Sequence, residues 1–434
     1  MSEVAIVGAV RTPIGKFGGA LKYKKASDLG GHVIKGLLKE LELKPTISKK
    51  TRSYYPNKLK DKETCKIEQK YMDWKEDYDD IEIDEVIMGN VLQGGQGQNP
   101  ARQASFKAGI PKDVPSYTVN KVCGSGMKSI VLGAQEIQND NANVVIAGGM
   151  ESMTSAPYVL PKARWGYRMN TDGKGDAIDM MVYDGLYEIF YGYHMGVTAE
   201  NLVELYDISR EEQDRLSVES HKRARTAWEK GWFDNEVIPI ELKDETMKKD
   251  ETPRETSLDA VKKLPPVFKK DGTITAGNSS SISDGAAALL LASKTYAVEN
   301  GLEILGYLRE HATAGVDPKY MGLGPTASTK KLLSKCEYSE DEIDLYEENE
   351  AFAAEILANM EETGKPKYGV GMNEKGSDTI NPKGSGISLG HPIGCTGARI
   401  TVTLLHELKR INKDIGLASL CIGGGMGISV LIER

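Results

Sequence analysis

The sequence predicts an α/β fold built from two related halves. Two observations carry this expectation. Short apolar, β-branched runs alternate with stretches whose apolar residues recur at helical spacing, the pattern of layered strands and helices. One arrangement also occurs twice. Cys123, a Gly-Ser-Gly turn, a helical stretch and NVVIAGGM come first; Cys395, a Thr-Gly-Ala turn, a helical stretch and LASLCIGGGM follow in the second part. The spacing is similar, 25 residues from Cys123 to Gly148 and 28 from Cys395 to Gly423. An internal duplication sets equivalent helix N-termini face to face and builds one site from both halves.

The chain's 434 residues suffice for a large core and more than one domain. Its formal charge of −8 gives no reason to expect nucleic acid or an anionic membrane as a partner. No apolar run is long enough to span a bilayer. The five cysteines, at 65, 123, 336, 395 and 421, are odd in number and scattered, with no CxxC pair or Cys/His cluster. That is neither a disulfide framework nor a zinc site, so no metal is expected. The start, MSEVAIVGAV, has neither the basic opening of a signal peptide nor an Arg-rich transit pattern, and the final LIER is not a peroxisomal address. A cytoplasmic location is expected.

Residues 4–10 read as a buried strand with RTPIGKFGG as its exit loop, and 26–43 as an amphipathic helix. Residues 44–80 are dense in Lys, Asp, Glu and Tyr, too charged to bury much, and read as a surface insertion that can serve as a protein contact. Strand pattern resumes at 83–88. A Gly-rich loop and short helix lead through 117–119 to Cys123. Residues 154–281 are loose, polar and Gly-rich around two helices, an excursion from the core fold. Strand and helix alternation then returns. The expected division is a first half over 1–153, a loop domain over 154–281, completion of the first half over 282–303, and a second half over 304–434.

Four residues stand out for chemistry. Cys123 precedes a helix, where unpaired N–H groups and the dipole favour a thiolate; at such a turn it is otherwise a structural cysteine. Asn349, in ENEAFAAE, sits at a strand-to-helix junction and is otherwise an N-cap. His391, in LGHPIGCTG, is held extended by the following proline and flanked by glycine; it is otherwise a loop histidine. Cys421, in LCIGGGMG, ends a buried strand and is otherwise a small core residue. Together they supply a nucleophile, a base, a second proton carrier and an amide. The N–H groups of Cys123 and of residues 423–425 are candidate oxyanion donors.

VCGSGMKS, AGGMESM, NEAFAAE, GHPIGCTGAR and CIGGGMG, in this order, resemble the signatures of the thiolase family, as do AIVGAVRTPIGKFGG and YGYHMGVTAEN. The resemblance covers nearly the whole chain apart from 44–80 and part of 363–381. It implies the thiolase fold: two βαβαβαββ halves stacked as α-β-α-β-α layers, with an inserted loop domain, usually assembled as a homotetramer. It implies Cys123 as the acylated nucleophile and His391 as its activator. Cys421 would be the acid/base at the α-carbon, Asn349 the holder of a catalytic water, and Gly423 an oxyanion donor. Cys395 falls where the family places no catalytic thiol. His194 and Met195 are implied to shape a narrow acyl pocket, and Arg254, Phe268, Ala276, Ser280, Met321, Ala351 and Phe352 to contact CoA. The implied reaction is reversible condensation of two acetyl-CoA to acetoacetyl-CoA and CoA, with these thioesters as substrates and no cofactor. The competing readings are a broad-range 3-ketoacyl-CoA thiolase and a CoA-binding scaffold without catalysis.

Overall fold

The computed structural model describes residues 2–59, 65–169, 171, 175–336, 338–364 and 379–434. Residues 60–64 of the charged insertion and 365–378 of the 363–381 departure lie outside the described residues.

Nine strands make the main path of one sheet: β1 (Val4–Arg11), β2 (Glu85–Gly89), β3 (Ser116–Val119), β4 (Val144–Ser152), β5 (Ser283–Ser293), β6 (Gly306–Gly315), β7 (Leu345–Glu348), β8 (Ile415–Ile422) and β9 (Met426–Glu433). Their order is β7-β8-β9-β6-β1-β5-β4-β2-β3. Every residue of β1, β4 and β5 is buried, so helices must cover both faces. The run GAAALLL in β5 meets that demand, with small residues in its first part and leucines in its second, all of them buried.

The duplication is written into the pairing. In the first half β3, β2 and β4 run parallel, and β5 and β1 follow antiparallel. In the second half an isolated bridge at Ile380, then β7 and β8, run parallel, and β9 and β6 follow antiparallel. The halves join edge to edge where residues 4–6 pair with residues 306–308. They differ at one connection. A three-residue turn, 423–425, links β8 to β9, whereas residues 153–282 link the equivalent β4 to β5. The long excursion therefore occupies the place of a hairpin turn.

The main helices are α1 (Ala26–Glu40), α2 (Pro100–Ala108), α3 (Ser125–Gln138), α4 (Met195–Tyr206), α5 (Arg210–Glu229), α6 (Gly324–Cys336), α7 (Ala353–Thr363) and α8 (Ile393–Ile411). α1 buries Leu29, Val33, Ile34, Leu37 and Leu38, one stripe at helical spacing, against β4 and β5. Asp28 in its first turn accepts from the Lys25 N–H, which caps the helix. α2 covers β2 on the same side. α3 packs on β2 and β4, and α8 touches strands of both halves as well as α3. α6 closes the far side on β6, β8 and β9. The layers are thus α-β-α-β-α, with α3 and α8 in the centre. Fifteen of the nineteen residues of α8 are buried, as its central position requires.

The ends of the charged segment are ordered more than its composition suggests. Leu43–Thr46 and Asp79–Glu82 pair as a parallel two-stranded sheet. Between them the buried Glu68 accepts from the Lys112 and Cys65 N–H groups, tying the segment to the turn after α2.

Candidate active site

The two central helices bring the site together. A Cβ on Gly126 would lie 2.9 Å from the Ala398 nitrogen, and one on Gly397 would lie 2.5 Å from the Met127 nitrogen. Only glycine permits backbones this close, so α3 and α8 touch near their N-terminal ends. Cys123 lies just before α3 and His391 just before α8.

The turn that presents Cys123 is strained. Val122, a β-branched residue, has φ of 47°. The Val122 N–H donates to Asn120 Oδ1, the Lys121 N–H donates to Ser125 Oγ, and the Ser125 hydroxyl donates to the Val122 carbonyl. These bonds hold a conformation that costs on the order of 1–3 kcal/mol. His391 is placed by a second left-handed residue, Gly390, with φ of 94°; a Cβ there would strike Ser283 Oγ at 2.3 Å. The His391 N–H donates to the Ser281 carbonyl at 3.0 Å. Cys421 is the penultimate residue of β8, and Gly423 opens the turn to β9.

One mostly apolar cavity of about 540 Å³ collects these groups. Cys123, His391, Cys421 and Gly423 all line it. So do His194, Met195, Phe268, Ala276, Ser280, Met321, Ala351 and Phe352. His194 stacks on Phe268 at 4.6 Å, and Phe268 meets Phe352 edge-on at 6.2 Å. Two expected residues do not line the cavity. Asn349 is buried beside His391, its Nδ2 3.5 Å from His391 Nδ1, while its Oδ1 lacks a partner. Arg254 is exposed and its backbone N–H donates to His221 Nδ1. Cys395 is buried in the central core and does not line the cavity.

Thr396, one turn past His391, is a site residue that the sequence reading missed. Its hydroxyl donates to the Pro392 carbonyl, so its oxygen accepts from His391 Nδ1–H at 2.7 Å. That fixes the tautomer and leaves Nε2 as an acceptor. The signal was the hydroxyl five residues after the histidine in HPIGCT. Lys16, Phe17, Met153 and Val267 also line the cavity; the first three lie within the signatures RTPIGKFGG and AGGMESM, but nothing in the sequence marked any of the four as a site residue.

Burial, not the helix dipole, governs the thiols. The half-buried Cys123 is pushed up to about 12 by desolvation, against the pull of the Gly423 N–H and its own N–H. This corrects the expectation that the N-terminus of α3 lowers it. Cys421 is raised well above the ordinary thiol range by burial, with the Glu355 and Cys123 charges adding to it. Burial, aided by the Arg399 charge, lowers His391 to about 3, so its imidazole is neutral near pH 7 and can accept a proton. The resting site therefore holds two thiols, a neutral base and two N–H donors aimed at one sulfur. That is the equipment of acyl transfer through a cysteine. Among the described residues no group of three His, Cys, Asp or Glu is arranged to hold a metal ion.

The family model for the thiolase N-terminal domain matches residues 4–51 and 74–295, and that for the thiolase C-terminal domain matches 302–434. The chain belongs to the thiolase family. It is 43% identical to an acetyl-CoA acetyltransferase of Syntrophomonas wolfei over 99% of each protein. It is also 43% identical to an acetyl-CoA acetyltransferase of Cupriavidus necator over the full length of both. The crystal structure of the Bacillus anthracis acetyl-CoA acetyltransferase superposes with a TM-score of 0.86 at 40% identity, covering 100% of this chain and 99% of that one.

This thiolase carries residues 52–73 outside the family match, and none of the described ones lines the cavity. Replacing 52–73 with a short Gly/Ser linker is expected to keep turnover within about threefold, since surface loops change length at small thermodynamic cost. A larger loss in a variant that stays folded by circular dichroism would show that the segment helps to build the site.

Proposed function

We propose that this thiolase is an acetyl-CoA C-acetyltransferase, condensing two acetyl-CoA to acetoacetyl-CoA and CoA and running in reverse as thiolysis. The observation that carries the reading is the meeting of Cys123, His391, Cys421 and Gly423 in one cavity supplied by both halves. The names of the full-length relatives agree with it.

The residues divide the work. His391 Nε2 takes the Cys123 proton as the sulfur attacks the acetyl carbonyl, and returns it to the departing CoA thiolate. Gly423 and Cys123 N–H groups, which already act on the Cys123 sulfur, receive the oxyanion. Cys421 then takes an α-proton from the second acetyl-CoA, and the carbanion attacks acetyl-Cys123. Asn349, beside His391, holds a water that hydrogen-bonds the thioester oxygen of the second acetyl-CoA. Phe268, Ala276, Ser280, Met321, Ala351 and Phe352 hold the pantetheine arm. Arg254, exposed outside the cavity, meets the phosphates of CoA. A homotetramer, which rests on the family resemblance, and a cytoplasmic location complete the reading.

His194 and Met195 make the acyl end narrow. Thiolysis of acetoacetyl-CoA is therefore expected to exceed that of a long-chain 3-ketoacyl-CoA by at least about tenfold in kcat/KM, since a chain that does not fit loses transition-state contacts. Parallel assays with both substrates decide it. Comparable rates would make this a broad-range degradative thiolase, and no thiolysis of either would favour a scaffold.

A further inference from the structure

Cys421 is useful as a base only as a thiolate, and its surroundings favour the thiol. Burial disfavours the anion, and the Glu355, Cys123 and Glu348 charges facing it act in the same direction. The structure holds one group able to offset this. Glu355, in the first turn of α7, is 1% exposed, and its carboxyl lies against the Cys421 thiol. Both of its oxygens lack a partner in full hydrogen-bond geometry. No Lys, Arg or His pairs with it among the described residues. A Cβ on Gly322 would fall 2.3 Å from Glu355 Cγ, so the missing side chain at 322 leaves room for this carboxyl. Apolar residues such as Ala199, Leu202, Ile274 and Ala358 cluster with Cys421, and the other carboxyl acting on it is the buried Glu348. A carboxyl buried there without a cation stays protonated: desolvation raises Glu355 to about 8. An ionised carboxylate would repel a neighbouring thiolate, whereas a neutral acid has a proton to donate to it.

We propose that Glu355 is a positioning residue for Cys421: its neutral carboxyl donates a hydrogen bond to the sulfur and stabilises the thiolate that takes the α-proton of the second acetyl-CoA. This rests on the function proposed above. The step balances with one proton lost to solvent and one regained. Cys421, a thiol at rest, first loses its S–H proton to solvent. The Cα–H bond then breaks as the Cys421 S–H bond re-forms, and the electron pair left on carbon forms the new C–C bond with the acetyl carbonyl. The C–S bond to Cys123 breaks last, and the departing Cys123 sulfur takes a proton from solvent, so both thiols are restored. Glu355 keeps its own proton throughout.

The test separates the two half-reactions in the full-length protein. Exchange of labelled CoA into acetyl-CoA reports acylation of Cys123; exchange of solvent deuterium into the acetyl methyl reports the α-proton step. Glu355→Leu is expected to leave CoA exchange within about threefold of wild type and to slow deuterium exchange about tenfold or more, the size of a lost hydrogen bond to a charged group. Glu355→Gln, whose amide N–H can donate, is expected to recover most of that rate. Unchanged deuterium exchange in Glu355→Leu overturns the proposal. So does an equal loss in both variants, which would make the carboxyl a proton acceptor, or a loss of CoA exchange in both, which would make its role structural. Absence of CoA exchange in the wild type would instead remove the acetyltransferase reading itself.

Discussion

Cys123→Ala is expected to lower thiolysis of acetoacetyl-CoA by at least about 10³-fold while the protein stays folded, because no other group can form the acyl intermediate at that position. The strained turn does not depend on the sulfur. Asn120, Ser125 and the backbone around Val122 make its hydrogen bonds, and none of these involves the Cys123 side chain. Removing the thiol takes a weak acceptor from the Gly423 and Cys123 N–H groups, which lie at the cavity and can turn to water. Stability measured by denaturant unfolding is thus expected to change by less than about 1 kcal/mol. The resting site pairs a thiol near 12 with an imidazole near 3, so proton transfer from Cys123 to His391 is unfavourable until attack begins. On the proposed mechanism the thiolate therefore forms as the acyl carbonyl is attacked, which is general-base catalysis and not a preformed ion pair. Mass spectrometry after incubation with acetyl-CoA checks the assignment directly. An acetyl group on the peptide holding Cys123 is expected. Residual thiolysis within about tenfold of wild type would move the nucleophile elsewhere, and Cys421 would be the next candidate in the cavity.

Much of this was legible in the sequence because glycines and repeated order mark geometry directly. The paired Cys-turn-helix-strand units pointed to two halves, and the sheet repeats their order strand by strand. GHPIG and CIGGGMG drew attention to His391, Cys421 and Gly423, which share one cavity, because each lies within a residue or two of a strand or helix end. What escaped depended on distance through space. The helix N-terminus at Cys123 is visible in sequence, but the desolvation that outweighs it comes from packing against core clusters drawn from the whole length of the chain. Thr396 is five residues from His391, yet its role as the partner of Nδ1 needs the turn of α8. Glu355 reads as an ordinary acidic residue in a helix's first turn, and only the packing shows that it lies against Cys421. Arg254 lies in a loop, where a motif position says little about the direction a side chain takes. The strain at Val122 has no sequence signal, since valine is a strand former and its φ there is set by bonds to Asn120 and Ser125.

Glu236→Ala is expected to destabilise the fold by about 3–5 kcal/mol, the scale of breaking a buried ion network at one partner. Glu236 joins all three parts of the chain. Its Oε1 accepts from Arg11, at the end of β1, at 2.6 Å, and from the Thr403 hydroxyl of α8 at 3.0 Å; its Oε2 meets Lys383 at 3.2 Å. Arg11 also pairs with Asp250, Lys383 with Glu407, and Glu407 with Arg410. Three cations therefore face three carboxylates, and Glu236 is the one carboxylate in contact with both Arg11 and Lys383. Its removal leaves a net positive charge among side chains that, Arg410 apart, have no exposure. The Lys383 and Arg11 charges hold the Glu236 carboxyl down to about 2, despite burial, from an ordinary 4.5. A depressed carboxylate contributes stability that is present above its unfolded pKa and is lost as pH falls toward the folded one. That contribution, roughly 3 kcal/mol for a drop of this size, is intact at neutral pH and fades between about 4.5 and 2. Glu151 works in the opposite direction: burial raises it to about 7, so its neutral form favours folding and that benefit is lost as pH rises from about 4.5 to 7. Urea unfolding of wild type and Glu236→Ala at pH 7 and pH 4 measures the difference. The gap is expected to be largest at pH 7 and to narrow in acid. A gap below about 1 kcal/mol at pH 7 would mean that Asp250 and Glu407 alone compensate the two cations.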